Sequence, residues 1–281
     1  MNTQAPSPSL STELILRDLD DGILTLTMNN PKRLNGWTMP MMDALKAAFR
    51  ESAVDPAVKA VILTGAGKYY CAGVNLSATL KLGHPKKLHG MIVEHNQDLF
   101  DTFLEFPKPI LIAINGHAIG ASVTSATICN GIIAAEGATF STPFAALGIC
   151  PEGCSSVQFA QLMGEDNAQR MLGKEGWKPS ASEAKEAGLI EWVSTADSLI
   201  DDAKAIAREW IERGETRAFR GGDLDELKAV NARESIALAD AFLASPFLKA
   251  QVRFLWSKKK YGPAGMFGAM FITRPLWSWL L

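Results

Sequence analysis

The chain has 281 residues, 47% of them apolar and 21% charged, with 28 Lys and Arg against 30 Asp and Glu for a net charge of -2. That length buries a large core, in one α/β domain with a helical tail or in two small domains. The near-even charge balance argues against a nucleic-acid partner, which asks for a basic stripe, so any anionic ligand must be met by a local patch of Lys and Arg. Cys71, Cys129, Cys150 and Cys154 form no C-x-x-C pair and are expected to be reduced, intracellular thiols. No run of about 20 apolar residues predicts a transmembrane segment, and Met1 to Ser11 lacks the apolar core of a secretory signal.

In chain order, Ile23 to Met28 alternates with period two and predicts a strand, ended by Asn29-Asn30-Pro31. Met42, Leu45 and Phe49 share one face of a helix predicted over Met39 to Ser52. Ala60 to Thr64 reads as a buried strand closed by Gly65-Ala66-Gly67, and Leu88 to Phe106 as a long amphipathic helix broken by Pro107 and Pro109. Further strands are predicted over 110–114, 131–135 and 138–141, with helices over 121–129 and 155–163. Beyond Ser180 the pattern is helical over 181–187, 198–212 and 224–243. The apolar, Trp-rich segment Met266 to Leu281 is interrupted by Arg274 and Pro275. It reads as a packed arm or an oligomer contact in preference to a membrane contact. Strands alternating with helices, followed by helices alone, imply an α/β fold with a largely parallel sheet and right-handed crossovers.

Several familiar motifs are missing. Gly65-Ala66-Gly67-Lys68 lacks the spacing of a phosphate loop, and Tyr70 stands where a dinucleotide fingerprint needs its third glycine. His84, His89, His95 and His117 form no metal-binding pair, so no metal site is expected, and these histidines read as surface or loop residues. There is no serine nucleophile elbow.

Three segments stand out instead: Cys71 to Leu76, Asn115 to Ser122, and Pro143 to Gly148 leading into Pro151-Glu152-Gly153-Cys154-Ser155-Ser156. In the first two, glycine permits sharp turns and close approach of a ligand. Amides freed by such turns, with a helix beginning near Gly120, suit a developing negative charge. Read more plainly, each segment is only a tight strand-to-helix turn.

Together the three segments resemble the crotonase (enoyl-CoA hydratase/isomerase) family, and more narrowly its peroxisomal-type Δ3,Δ2-enoyl-CoA isomerase branch. Tyr70 to Leu76 is similar to the family's F-x-x-G-x-D-[LI] segment, with Asn75 at the usual Asp. Phe106 to Ile110 and Ile114 to Gly120 match its P-K-P … N-G-x-A-x-G run. Thr142 to Ser156 follows the isomerase pattern T-P-F-x-x-L-G-x-x-P-E-G. The resemblance runs from about Leu14 to Trp192. It implies a ββα spiral core over 12–195 carrying the active site, with a helical C-terminal region over 196–281 for oligomerisation and pocket closure. It implies an acyl-CoA thioester as substrate, no cofactor beyond that coenzyme A, and a homotrimer or dimer of trimers. An intracellular, peroxisomal setting is implied as well. The last residues, Trp279-Leu280-Leu281, are not a Ser-Lys-Leu-type signal, which leaves cytosol and mitochondria open.

Carried over by position, the resemblance gives the amides of Val74 and Gly120 the thioester oxygen. It gives Ala72 a main-chain contact with adenine, Lys32 and Arg33 the coenzyme's phosphates, and Leu76 a place in the substrate site. The family's hydratases use two glutamates, at positions held here by Val123 and Phe144. Without those carboxylates nothing is left to activate water. Glu152, set as in the isomerase branch, is the expected lone acid/base, in an apolar pocket formed partly by Val123, Phe144 and Leu147. The expected reaction is the shift of a 3-enoyl-CoA double bond to trans-2-enoyl-CoA. The alternatives are a hydratase-like or other crotonase-type reaction of secondary metabolism, or a non-catalytic acyl-CoA binder.

Overall fold

The computed structural model describes residues 13–74 and 83–281. The chain opens with a hairpin of β1 (Ile15–Asp20) and β2 (Ile23–Met28). Asp21 and Gly22 both take positive φ at its two-residue turn, the geometry that matches the twist of paired strands. Helix α1 (Met39–Val54) is capped by Thr38, whose hydroxyl accepts from Met41 N. Strands β3 (Ala60–Gly65), β5 (Ile110–Ile114), β7 (Gly131–Ala135) and β9 (Trp192–Ser194) add in parallel to β2, giving a six-stranded sheet in the order β1-β2-β3-β5-β7-β9.

Between these strands lie β4 (Tyr69–Cys71), β6 (His117–Ile119) and β8 (Phe140–Ser141), which pair in parallel as a second, three-stranded sheet. The chain therefore visits the large sheet, then the small one, then a helix, three times over. The helices are α2 (Pro85–Leu104), α3 (Ala121–Thr127) and, after the short α4 (Phe144–Leu147), α5 (Ser155–Leu172). This is the ββα spiral that the sequence led us to expect. The strands of the small sheet are too short for a period of two to be seen, so β4 and β6 went unpredicted. Helix α5 runs nine residues past its predicted end because the chain continues beyond a kink at Gly164, at φ 76° and ψ 158°.

Strands β3, β5 and β7 are buried along their whole length, as parallel strands covered on both faces must be. One face carries Leu26, Val61, Leu63, Ile112 and Ile114 against Leu45 and Phe49 of α1 and Phe103 of α2. On the other face, Ile62, Leu111 and Ile133 pack on Leu199, Ala203 and Ala207 of α7 (Leu199–Glu212), which follows the short α6 (Ala181–Glu186). A separate apolar cluster joins α8 (Leu224–Phe242), α9 (Ser245–Ser257) and α10 (Tyr261–Trp277) to Leu88 and Ile92 of α2. Phe267 and Met270 of the Trp-rich segment are buried in that cluster, so its inner face is a packed arm. No helix among the described residues is long and apolar enough to cross a membrane.

The two sheets meet at the Asn115-Gly116 corner. Asn115 accepts from Gly65 N at 3.0 Å and donates to Gly67 O at 2.8 Å, stitching the end of β3 to the end of β5. A Cβ on Gly116 would collide with the carbonyl of Lys68. Gly116→Ala is expected to destabilise the fold by about 1–3 kcal/mol, read as a lower urea midpoint at unchanged slope.

Candidate active site

Where the small sheet meets α2 and α8 there is a cavity of ≈ 410 Å³. Its walls are Ala72, Gly73 and Val74 after β4, Ile119 to Ala121 at the end of β6, and Pro143, Phe144 and Leu147 around α4. Leu88, Met91, Ile92 and Leu99 of α2 close one side and Leu238 and Phe242 of α8 another. The site thus draws on all three turns of the spiral and on the C-terminal helices.

The strip Ala72 to Val74 is held from below by the loop after β2. Ala72 N donates to Leu34 O at 3.0 Å and Trp37 N to Gly73 O at 2.9 Å. Buried Asn35, itself at φ 51°, donates to Ala66 O and Tyr69 O. Gly73 has φ 79° and runs so close to Ile119 O that a side chain would not fit. Lys32 and Arg33 sit on the exposed 3-10 turn Pro31–Arg33, one residue before Leu34. They are tethered near Ala72 but do not line the cavity. The expectation for Leu76 falls on residue 76, outside the described residues.

Two expectations require correction. The Gly120 amide is engaged: it donates to Ser141 O at 2.7 Å as β6 pairs with β8. The next amide, Ala121 N, opens helix α3 and so has no intrahelical acceptor. Neither it nor Val74 N donates to any described residue, and both residues line the cavity. The pair of free donors is therefore Val74 and Ala121. Val123 is buried but does not line the cavity. It lies about 200° around α3 from Ala121 and faces the main core. Counted from Ala121, the third position on is Thr124, whose hydroxyl bonds to Ala121 O; that position carries no carboxylate either.

Glu152 lines the cavity and is 7% exposed. Its carboxyl makes no hydrogen bond with any described residue, although the site is otherwise almost wholly apolar. Burial, and then the neighbouring charge of Glu234, push its pKa up to about 8. The turn behind it is unusual: Gly153 and Cys154 both have left-handed backbone, at φ 64° and 66°. A side chain on Gly153 would clash with Phe100 and Thr124.

Sequence reasoning missed several residues. His95 and Asn96 of α2 line the cavity, so His95 is not simply a surface histidine. Its Nδ1 meets Met91 O at 2.8 Å. Asn96 donates to Ser235 on α8 at 3.0 Å. Glu234 of α8, 6% exposed, accepts from Cys154 N at 2.6 Å and Ser156 N at 2.8 Å. A signal existed: Glu234 shares the helical stripe of Leu227, Leu238 and Phe242, where a carboxylate is out of place unless it has partners. No group of three or more His, Cys, Asp or Glu among the described residues could hold a metal ion.

Because the folded state holds the Glu152 proton up to about pH 8, whereas an ordinary carboxyl releases it near 4.5, its contribution to stability is complete below 4.5 and lost as pH rises to about 8. Glu152→Gln should therefore melt progressively higher than the parent from pH 4.5 to 8, with a constant gap above that. Thermal melts across pH check this.

Comparison with known proteins follows the same lines. Residues 18–221 match the sequence model of the Enoyl-CoA hydratase/isomerase family. An uncharacterized protein of Caenorhabditis elegans is 36% identical over 244 residues, covering 83% of this chain and 92% of its own. Enoyl-CoA delta isomerase 2 of Rattus norvegicus is 31% identical over 261 residues, covering 88% of this chain, which spans 64% of that longer protein. The crystal structure of an enoyl-CoA hydratase/isomerase from Pseudoalteromonas atlantica T6c superposes with a TM-score of 0.71 at 25% identity, over 88% of this chain and 98% of the other. The spiral fold, the apolar cavity with two free amides, and the match over most of the chain agree: this protein belongs to the enoyl-CoA hydratase/isomerase family, with the crotonase fold.

Proposed function

We propose that this enzyme is a Δ3,Δ2-enoyl-CoA isomerase with Glu152 as its acid/base. The observation that carries the reading is one carboxyl, Glu152, in an apolar cavity that also presents two main-chain donors, Val74 N and Ala121 N, none of the three being hydrogen-bonded to any described residue. The thioester oxygen of a 3-enoyl-CoA accepts from both amides. That polarisation acidifies C2, and the Glu152 carboxylate removes a proton there. The electron pair delocalises over the dienolate, and the protonated Glu152 returns the proton at C4, leaving a 2,3-double bond. Each oxyanion donor contributes about 3–4 kcal/mol when its target is the developing charge.

Two features support isomerisation over hydration. Phe144 and Thr124, at the positions where hydratases of the family carry glutamates, have no carboxylate to deprotonate water, and the raised proton affinity of Glu152 suits a carboxyl that must both take and give back a proton near neutral pH. The exclusion of water also protects the dienolate. On this reading Lys32 and Arg33 meet the coenzyme's phosphates and Ala72 its adenine. The same reading brings a homotrimer or dimer of trimers as the assembly. It also brings a peroxisomal setting, as for a Mus musculus relative named Enoyl-CoA delta isomerase 3, peroxisomal, 29% identical over 261 residues.

Purified protein given a 3-enoyl-CoA should raise the ultraviolet absorbance as the double bond conjugates with the thioester. Glu152→Gln should lower kcat by about 10³-fold or more with little change in KM, in keeping with loss of the general base; retained turnover would overturn the mechanism. Ala121→Pro removes one amide hydrogen at a first-turn position where proline is tolerated. It should lower kcat by about 10²–10³-fold, while Gly120, whose amide is already bonded, supplies no substitute donor.

A further inference from the structure

Glu234 is a second carboxylate in the same neighbourhood that the proposed reaction does not use. It comes from α8, far along the chain, and ends beside the turn that bears Glu152. Both of its oxygens are committed: one accepts from Cys154 N, the other from Ser156 N. Those amides lie at the start of α5, whose N-terminus has no side-chain cap of its own from Cys154. The turn they belong to is the one with two consecutive left-handed residues, a conformation that needs outside support when the second is not glycine. On the α2 side, Asn96 holds Ser235, and Asn231 donates to Gln97 O and to Asp101, so α8 is pinned to α2 on both sides of Glu234.

We infer that Glu234 is a positioning residue for Glu152: it clamps the 152–156 turn through two amides and lays a second negative charge beside the carboxyl facing the cavity. This rests on the reading of Glu152 as the acid/base. The clamp explains why Glu152 points into an apolar cavity with no hydrogen bond to hold it there. The adjacent charge explains, after burial, why Glu152 retains its proton to high pH. Burial raises the pKa of Glu234 itself, and the hydrogen bonds from Ser156 and Cys154, with Arg233, oppose that rise. The donors thus favour the ionised form of Glu234 against the effect of burial. The other titratable groups facing this pair are Cys150 and Cys154 of the turn, His95 on the cavity wall, Asp101 of α2, and Asp240 of α8. Apart from the main-chain amide of Cys154, none of these residues donates a hydrogen bond to either carboxyl.

The test uses full-length protein labelled with ¹³C at the glutamate carboxyl, the Glu152 signal being the one lost in Glu152→Gln. In Glu234→Gln its titration midpoint should move to lower pH by about one pH unit, because a like charge has been removed. The rising limb of kcat against pH should move with it, and kcat at its plateau should fall about tenfold or more as the turn loosens. Glu234→Asp, which draws the carboxylate back by one methylene, should lower kcat while keeping the limb closer to the parent's, and it stands in if the Gln variant does not fold. A midpoint and kcat equal to the parent's in either variant would overturn the inference. So would a loss of kcat equal at every pH and tracking only a lower melting temperature, which is what a purely structural cap would give. The carboxyl titration needs no turnover, so a protein that fails to isomerise 3-enoyl-CoA would sink the proposed reaction and still decide the clamp.

Discussion

A carboxyl buried without a hydrogen-bond partner is among the least favourable arrangements a protein can hold, and among the described residues Glu152 has none. The surroundings are arranged to sustain it. The left-handed pair Gly153-Cys154 turns the chain so that Glu152 faces the cavity, Phe100 and Thr124 leave no room for a side chain at Gly153, and Glu234 takes up the amides that follow. The group stays neutral over a wide pH range, which limits the penalty of burial. It becomes a strong base when it does ionise. Stability is given up at the point where reactivity is gained.

The other half of the site is made of backbone. Val74 and Ala121 contribute main-chain amides, and their side chains matter mainly for fitting the cavity wall. Ala121 N donates to no described residue because of where the sheet ends. Gly120 N still belongs to the β6–β8 ladder, and one residue later the chain has entered α3 and has no acceptor. The boundary between a three-residue strand and a seven-residue helix therefore decides which amide is available. Asn35 and Asn115 hold the turn that leads from β3 into β4, and Gly73 lets the loop after β4 approach β6 closely.

The C-terminal helices complete the site and do more than cover it. Leu238 and Phe242 wall the cavity, and Glu234, four residues before Leu238 on the same face of α8, reaches the turn below. Helix α7, by contrast, packs on the far face of the large sheet and shares the core of the spiral.

Strand β2 was plain in the sequence from its alternation, and β3, β5 and β7 because a buried parallel strand is a short apolar run bounded by turn residues. Helices α1, α7 and α8 showed as apolar stripes of the right period. Glu152, Phe144 and Leu147 could be named because they sit in a contiguous motif whose spacing survives without any structure. The sequence could not say which of two adjacent amides is free, that Val123 turns to the core while Ala121 turns to the cavity, or that Glu234 would lie against a turn some eighty residues earlier. Those outcomes depend on helix phase, on the last rung of a ladder and on the packing of α8 against α2. Local pattern determined the elements and singled out the carboxyl of Glu152. Only the folded chain decided what surrounds that carboxyl, because hydrogen-bond partners and burial come from residues distant in sequence.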